Sequence, residues 1–463
     1  MPQTASSSLL NLAGIGGQPL LDLLDLADVS EIRPYFRTRY NIVPAGAAAI
    51  AAAGLAAADL WTLRGGERQR VGIDAAAAAA ALHSLHYLRL DGEIPANPPG
   101  SVTGFYPVRD GGWIYLHCEF PNLRDANLAV LGAPADKEKI ANATSGWDGK
   151  ELEDAIYAGG GMCGLLRDER QWNALPHTAV LSALPLLEIT RIGDASAEPL
   201  PDGGAQPLSG VRVLDFTRVI AGPMCTRTLA EHGADVLQIS RADLPDSGPA
   251  SLDTAIGKLR AFLDLREPGQ AATLRGLIET SDVFVQSYRP GALAARGLSP
   301  EQLAARRPGI VYVTLSAWGH EGPWRQRRGY DTVVQSVNGF AYQDDGTPAL
   351  MPVAAQDYIS GYLMAYGAMV ALGRRAREGG SWLVRVALAR TGQYIRQHGL
   401  VDAEVYRSAP ADLSAPVLAG LMTEHHSPLG LLTHLCPAVE LSATPARWAR
   451  PAVPRGFNPA RWP

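Results

Sequence analysis

Cysteine is scarce in this chain: four in 463 residues, at Cys118, Cys163, Cys225 and Cys436, with no CxxC pair. That spacing argues against a disulfide framework or a structural zinc site and fits a reducing cytoplasm. Positive charge is not in excess either, the formal net charge being −5. Nucleic acid is therefore not an expected partner, and any anion site must be a local basic cluster. Met1 to Leu10 has no basic segment leading into an apolar one, so no secretory signal is expected. The longest apolar run, Ala45 to Leu60, is mostly alanine and falls short of the roughly 20 residues a bilayer needs. It reads as a tightly packed core helix, with no membrane partner. The histidines lack HExxH spacing, the turn over 217–223 lacks GxGxxG, and Ser316 stands in Leu-Ser-Ala-Trp-Gly, which is not the GxSxG of a hydrolase elbow.

What is present is ample core material, 47% hydrophobic against 19% charged residues, in a chain long enough for two or three domains. Residues 195–209 (ASAEPLPDGGAQPLS) have no apolar period and read as a linker. Before it, 102–120 suggests a hairpin turning at Asp110-Gly111-Gly112, followed by short helices over 123–131, 149–158 and 168–175. After it, strands expected at 211–216, 235–239, 261–265, 282–286 and 310–315 alternate with helices at 223–232 and 269–280. Such alternation predicts a parallel, helix-covered, doubly wound sheet. The fold class is α/β: a Rossmann-like parallel sheet domain in the C-terminal half and a small α+β domain in the N-terminal half. The expected boundaries are a helical segment over 1–100, the small domain over 101–194, the linker over 195–209, the sheet domain over 210–405 and a Pro/Ala-rich tail over 406–463. Residues 50–75 also align with 363–388 at an offset of 313, pairing Gly54 with Gly367, Arg64 with Arg377, Gly66 with Gly379 and Val71 with Val384. Either this is an internal repeat or two alanine-rich helices coincide.

The expected first strand of the sheet runs into Thr217-Arg218-Val219-Ile220-Ala221-Gly222-Pro223. A strand entering a helix through such a turn offers free N–H groups at the sheet's C-terminal edge, where anions bind in open α/β folds. Arg218, Arg241, Arg289, Arg325, Arg327 and Arg328 follow strands at that same edge. Converging guanidinium groups suit a nucleotide-like ligand; a solvated basic rim is the plainer reading. Asp357 stands just before a long apolar helix. It reads as an N-cap, and equally as an oxygen nucleophile that the positive helix end keeps ionised.

Several blocks now converge: GVRVLDFTRVIAGPMCTRTLAEHGADVLQIS (210–240), GKLRAFLDL (257–265), DVFVQSYRPGALAARGL (282–298), GIVYVTLSAWGHEGPWRQRRGYDTVVQ (309–335) and VAAQDYISGYLMAYGAMVALGRRAREGG (353–380). In this order they closely resemble the class III CoA-transferases (the CaiB/BaiF family). Residues 64–82 and 102–187 resemble later portions of the same family, so the two family parts stand in rearranged order. The resemblance implies an enzyme that moves CoA from an acyl-CoA to a carboxylic acid through an aspartyl mixed anhydride. Asp357 would be the nucleophile, with CoA contacts at Arg218, Val219, Ala221, Arg241, Leu263, Ser287, Arg296 and Arg328. Acyl-CoA and a small carboxylic acid are the expected substrates, with no permanently bound cofactor and no metal. A cytoplasmic homodimer, interlocked or not, is the expected assembly. In the first copy of the repeat Pro44 falls where Asp357 falls in the second, so one nucleophile per chain is expected.

The sequence departs from the family at Ile220, where a glutamine would handle a small diacid. It departs again at Ser287 in place of an asparagine, and at Arg296, shifted by one position. No clear GGGGQ-like glycine loop stands in the first half, Pro98-Pro99-Gly100 being a poor substitute. Oxalate is disfavoured as acceptor and a larger or more apolar acid favoured. Two rivals stay open: an α-methylacyl-CoA racemase-like isomerase, whose histidine base is replaced here by Tyr330, and a non-catalytic CoA-binding subunit.

Overall fold

The computed structural model describes residues 34–95 and 101–463, with Ser8, Asn11, Leu12, Gly14 and the backbone of Leu24–Asp25 ahead of them. Pro98-Pro99-Gly100, and Met1 to Leu10 apart from Ser8, lie outside the described residues.

Seven strands form the main sheet in the order Lys258–Phe262, Asp235–Ser240, Arg212–Phe216, Val283–Gln286, Val311–Ser316, Ser381–Ala387, Glu188–Gly193. The first six run parallel and the last is antiparallel to its neighbour. Val283–Gln286 and Val311–Ser316 are buried along their whole length, as strands covered by helices on both faces must be. The chain lays down Arg212–Phe216, steps outward twice to one side, then returns to place Val283–Gln286 on the other side. That reversal opens a crevice at the C-terminal ends of these two strands. The strand expected over 261–265 lies three residues earlier, at Lys258–Phe262. Lys258 is fully buried because its ammonium donates to Asp215 at 3.0 Å, so burial begins before the apolar run does.

The smaller unit is a three-stranded antiparallel sheet of Gly104–Pro107, Trp113–Leu116 and Cys163–Leu165. Helices Pro121–Leu131, Lys137–Thr144 and Gly149–Ala158 cover it. It docks on the large sheet's side through close backbone contact: a Cβ on Gly164 would meet the Val333 carbonyl oxygen at 2.9 Å. Glu153, fully buried, takes a two-pronged bond from Arg167 at 2.9 and 2.7 Å and a further one from Arg327 at 3.3 Å. Burial alone would raise its pKa, but these guanidinium groups prevail and hold it below the usual carboxylate range. The linker over 195–209 contains no helix or strand. It is held instead by Arg64, which donates to the carbonyls of Pro201, Gly203, Pro207 and Ser209, and by Glu198, which accepts from Arg307.

The repeat is structural, not a coincidence of composition. Helix Ile42–Leu63, strand Val71–Ile73 and helix Ala75–Ala81 match helix Ala355–Glu378, strand Ser381–Ala387 and helix Leu388–Gln397, and both helix starts keep the offset of 313. In each copy the glycine meets its own valine: a Cβ on Gly54 would lie 2.8 Å from Val71, and one on Gly367 2.6 Å from Val384. Each strand also takes an antiparallel neighbour from a distant part of the chain, Val439–Leu441 after it in one copy and Glu188–Gly193 before it in the other. The two long helices pack on each other, with the alanines of Ile42–Leu63 almost all buried. This helix is long and apolar enough to cross a membrane, yet its surface is taken up by protein. Past Val439–Leu441 the chain runs back along the outer strand of the large sheet, where the Asn458 amide donates to the Arg260 carbonyl at 2.9 Å.

Close approach leaves no room at Gly361, where an added Cβ would lie 2.8 Å from the Ala221 carbonyl oxygen and 2.6 Å from Met224. Alanine is intrinsically better than glycine inside a helix by about 1 kcal/mol. Gly361→Ala is nevertheless expected to lower stability by about 1–3 kcal/mol, read as a lower urea midpoint, because the obstructing atom is backbone.

Candidate active site

The turn after Arg212–Phe216 is built around Asp215. Its carboxylate accepts from the Thr217 amide at 2.8 Å, the Thr217 hydroxyl at 2.5 Å, the Thr226 hydroxyl at 2.6 Å and the Lys258 ammonium. Strand, turn, following helix and third strand are thereby tied to one buried group. The turn carries strain: Val219 has φ 73°, a left-handed conformation that a β-branched residue adopts at a cost of about 1–3 kcal/mol. Helix Ala221–Glu231 starts directly behind it, so its free N–H groups face the crevice.

A cleft of about 980 Å³ opens there. Phe120, Asn122, Leu123 and Met162 of the small unit form one wall. Arg218, Ser287, Arg289, Arg327, Arg328 and Tyr330 from the large sheet's loops line the other. Arg218 reaches the Pro245 carbonyl and lies 5.3 Å over the Phe120 ring. Arg327 is spent on Glu153 and Asp154. Arg328 has no hydrogen-bond partner for its guanidinium among the described residues, and burial followed by the neighbouring Arg289 charge lowers its pKa. The cleft is thus a place where positive charge is concentrated and incompletely neutralised.

Asp357 occupies the first turn of helix Ala355–Glu378 and is 5% exposed. It is not the N-cap expected from its position. Asp331, itself buried at the start of helix Asp331–Val337, accepts the Asp357 amide at 2.9 Å and takes over the capping. The Asp357 carboxylate is left without a hydrogen-bond donor among the described residues. Burial, and then the adjacent Asp331, push its pKa well above the ordinary carboxylate range. Asp331 is itself pushed up to about 6 by burial, against the bonds from Gln335 and the helix amides. The expectation that the helix end would keep Asp357 ionised is therefore overturned: desolvation and a like charge outweigh the dipole. Tyr330, between this pair and the cleft, is pushed up to about 12, chiefly by burial.

Of the residues singled out from sequence, Arg218, Ser287 and Arg328 meet in the cleft; Asp357 does not line it but is near enough for its charge to act on Tyr330, which does. Val219 lies in an adjoining smaller hollow shared with Arg218. Ala221 is buried at its helix start and Leu263 is in the core. Arg241 is paired with Asp243, and its charge acts on Tyr288, which lines the cleft. Arg296 is exposed on a short 3-10 turn, Ala294–Arg296, and its charge, like that of Arg241, opposes the burial that raises the pKa of Tyr288. Asp331 and the small-unit wall, Phe120, Asn122, Leu123 and Met162, were missed. Asp331 could have been found from its Tyr330-Asp331 start to an apolar helix; the wall comes from a segment about a hundred residues upstream, and no local signal announces it.

Residues 208–419 match the model of CoA-transferase family III. It is 28% identical to an acetyl-coenzyme A transferase of Hypoxylon pulicicidum, over 68% of this chain and 58% of that one. It is 35% identical to human succinyl-CoA:glutarate CoA-transferase, over 36% of this chain and 41% of the human one. A crystal structure of a Mycobacterium tuberculosis protein, 31% identical, overlaps with a TM-score of 0.39 across 42% of this chain and 58% of that one. The chain spans about half the length of the curated relatives it matches.

A carboxyl whose folded pKa is raised binds its proton more tightly in the fold than in the unfolded chain. The stability this brings is complete below the unfolded value near 3.9 and is lost as pH rises through the folded value. Asp357→Asn removes that loss. Its melting temperature is expected to equal the wild type's at about pH 4 and to exceed it increasingly toward about pH 8, as followed by circular dichroism.

Proposed function

We propose that the protein transfers CoA from an acyl-CoA to a carboxylic acid, with Asp357 as nucleophile. The observation that carries this reading is a buried carboxylate, free of capping duty and of hydrogen bonds among the described residues, set beside an arginine-lined crevice at the sheet's reversal point. The names borne by the relatives, CoA-transferases among them, support it.

In the proposed chemistry an Asp357 oxygen attacks the thioester carbonyl. The new C–O bond forms, the C–S bond breaks, and the electron pair leaves on sulfur, giving a mixed anhydride and the CoA thiolate. The thiolate attacks the aspartyl carbonyl and releases the donor acid as its carboxylate. The acceptor carboxylate then attacks the aspartyl thioester, and the freed thiolate finally attacks the acceptor's carbonyl. Each step moves one anion and needs no proton, and thioester energy is retained throughout. Arg218 and Arg328 would meet CoA phosphates, with Val219, Ala221, Arg241, Leu263, Ser287 and Arg296 around the rest of the cofactor-sized ligand. Ile220 stays the reason to expect a larger or more apolar acceptor than oxalate. Cytoplasmic residence and a homodimer belong to the same proposal. The racemase alternative is weakened by Tyr330, whose raised pKa makes it a worse base still.

Hydroxylamine added during turnover is expected to inactivate the enzyme by modifying Asp357, located by peptide mass spectrometry; unmodified Asp357 in an active enzyme would reject the mechanism. Asp357→Asn should abolish exchange between acyl-CoA and acid and leave CoA binding within about threefold. Because the reactive form is the anion, kcat/KM should rise with pH, with its midpoint above the ordinary carboxylate range. Arg328→Ala is expected to raise the KM for acyl-CoA about tenfold or more, the loss of one charge-assisted bond of about 1.5–3 kcal/mol.

A further inference from the structure

His117 stands at the end of strand Trp113–Leu116 and turns its ring toward Tyr330, with ring centroids 4.8 Å apart. Phe120 completes an aromatic cluster, 6.1 Å from His117 and 5.7 Å from Tyr330. The His117 backbone is fixed on both sides. Its amide donates to the Met162 carbonyl at 3.2 Å, and its carbonyl accepts from the buried Asn127 side chain at 3.2 Å. The residue is 8% exposed and both ring nitrogens are buried, yet neither nitrogen has a hydrogen-bond partner among the described residues. Leaving a buried polar group unpaired costs about 1–3 kcal/mol. A phenylalanine would fill the same cluster without that cost, so packing does not account for the imidazole. Its neighbours do: Phe120 and Tyr330 line the cleft, and Tyr330 feels the charge of Asp357. Burial pushes the ring to about 4, against the opposing charge of Glu119, so near neutrality it holds one N–H to donate and carries no charge.

We propose that His117 is a further catalytic residue of the transfer, its ring N–H donating a hydrogen bond to the acyl carbonyl oxygen as Asp357 attacks. This rests on the reading of Asp357 as nucleophile. The imidazole keeps its proton throughout: negative charge passes from the Asp357 carboxylate to the carbonyl oxygen, where His117 stabilises it, and leaves on sulfur as the C–S bond breaks. The small unit thus supplies an oxyanion donor, and the large sheet supplies the nucleophile and the arginines.

His117→Phe and His117→Gln are compared with wild type in acyl-CoA to acid exchange, CoA binding by calorimetry, thermal melting and hydroxylamine modification of Asp357. The expected result for His117→Phe is a kcat lowered about 100-fold, an unchanged CoA Kd, and a melting temperature equal to or above wild type. His117→Gln, which keeps a donor, should recover part of the rate. An unchanged kcat in His117→Phe would overturn the proposal, as would equal losses in both variants with lowered melting. Loss in His117→Phe of a wild-type exchange of the acyl α-proton with deuterated water would overturn it too, making His117 a base. If wild-type Asp357 is not modified, the parent reading fails and this one with it, whatever the variants do. Should the His117 variants not fold, 15N NMR of Asp357→Asn protein with acetyl-CoA decides. A downfield shift of the His117 ring N–H supports the donor, and no shift overturns it.

Discussion

Everything at the site depends on how closely two helices can lie. Ile42–Leu63 and Ala355–Glu378 pack on each other, an added Cβ on Gly373 of the second lying 3.5 Å from Leu60 of the first, and the second also presses Gly361 against the start of Ala221–Glu231. Larger side chains would push the axes apart and move the first turn of Ala355–Glu378 relative to the strand ends. Because the contacts at Gly54, Gly367 and Gly361 leave no room for a Cβ, the position of Asp357 relative to the crevice is set by backbone against side chain and backbone. A loop could not hold it so closely.

Within that frame the electrostatics run against intuition. An aspartate at a helix start is ordinarily a cap, ionised and satisfied. Here Asp331 reaches across from another helix to do the capping, and Asp357 is left buried, unbonded among the described residues, and next to a like charge. Both effects disfavour its anion, and so make that anion, once formed, a poorly stabilised and reactive oxygen. The cleft balances this with guanidinium groups on the far side of Tyr330. The strained Val219 turn, locked through Asp215 to Lys258, keeps the helix start of Ala221–Glu231 pointed into the same space.

The repeat gives the chain its architecture. Two copies of helix, strand and helix use the same glycine–valine contact, yet only the second is preceded by the full parallel sheet among the described residues, and only the second carries the aspartate. Pro44 stands at the matching place in the first copy. The small unit between the copies folds back to form the second wall of the cleft, so both walls come from one chain.

What was legible in the sequence were features of short range or fixed period. Buried β-strands such as Val311–Ser316 announce themselves by runs of apolar residues, the repeat by its constant offset, and the arginines by following strand ends. The sheet, its crevice and the arginines that line it follow from those signals. The outer strand was misplaced because Lys258 reads as exposed until Asp215, forty-three residues away, is brought to it. The state of Asp357 and the presence of His117 were likewise beyond the sequence. A carboxyl's pKa depends on what surrounds it in space, and the carboxylate at 331 and the ring at 117 come from elements that only packing brings together. Local order follows from neighbours along the chain; desolvation and charge–charge coupling follow from neighbours across it, and these only the tertiary fold decides.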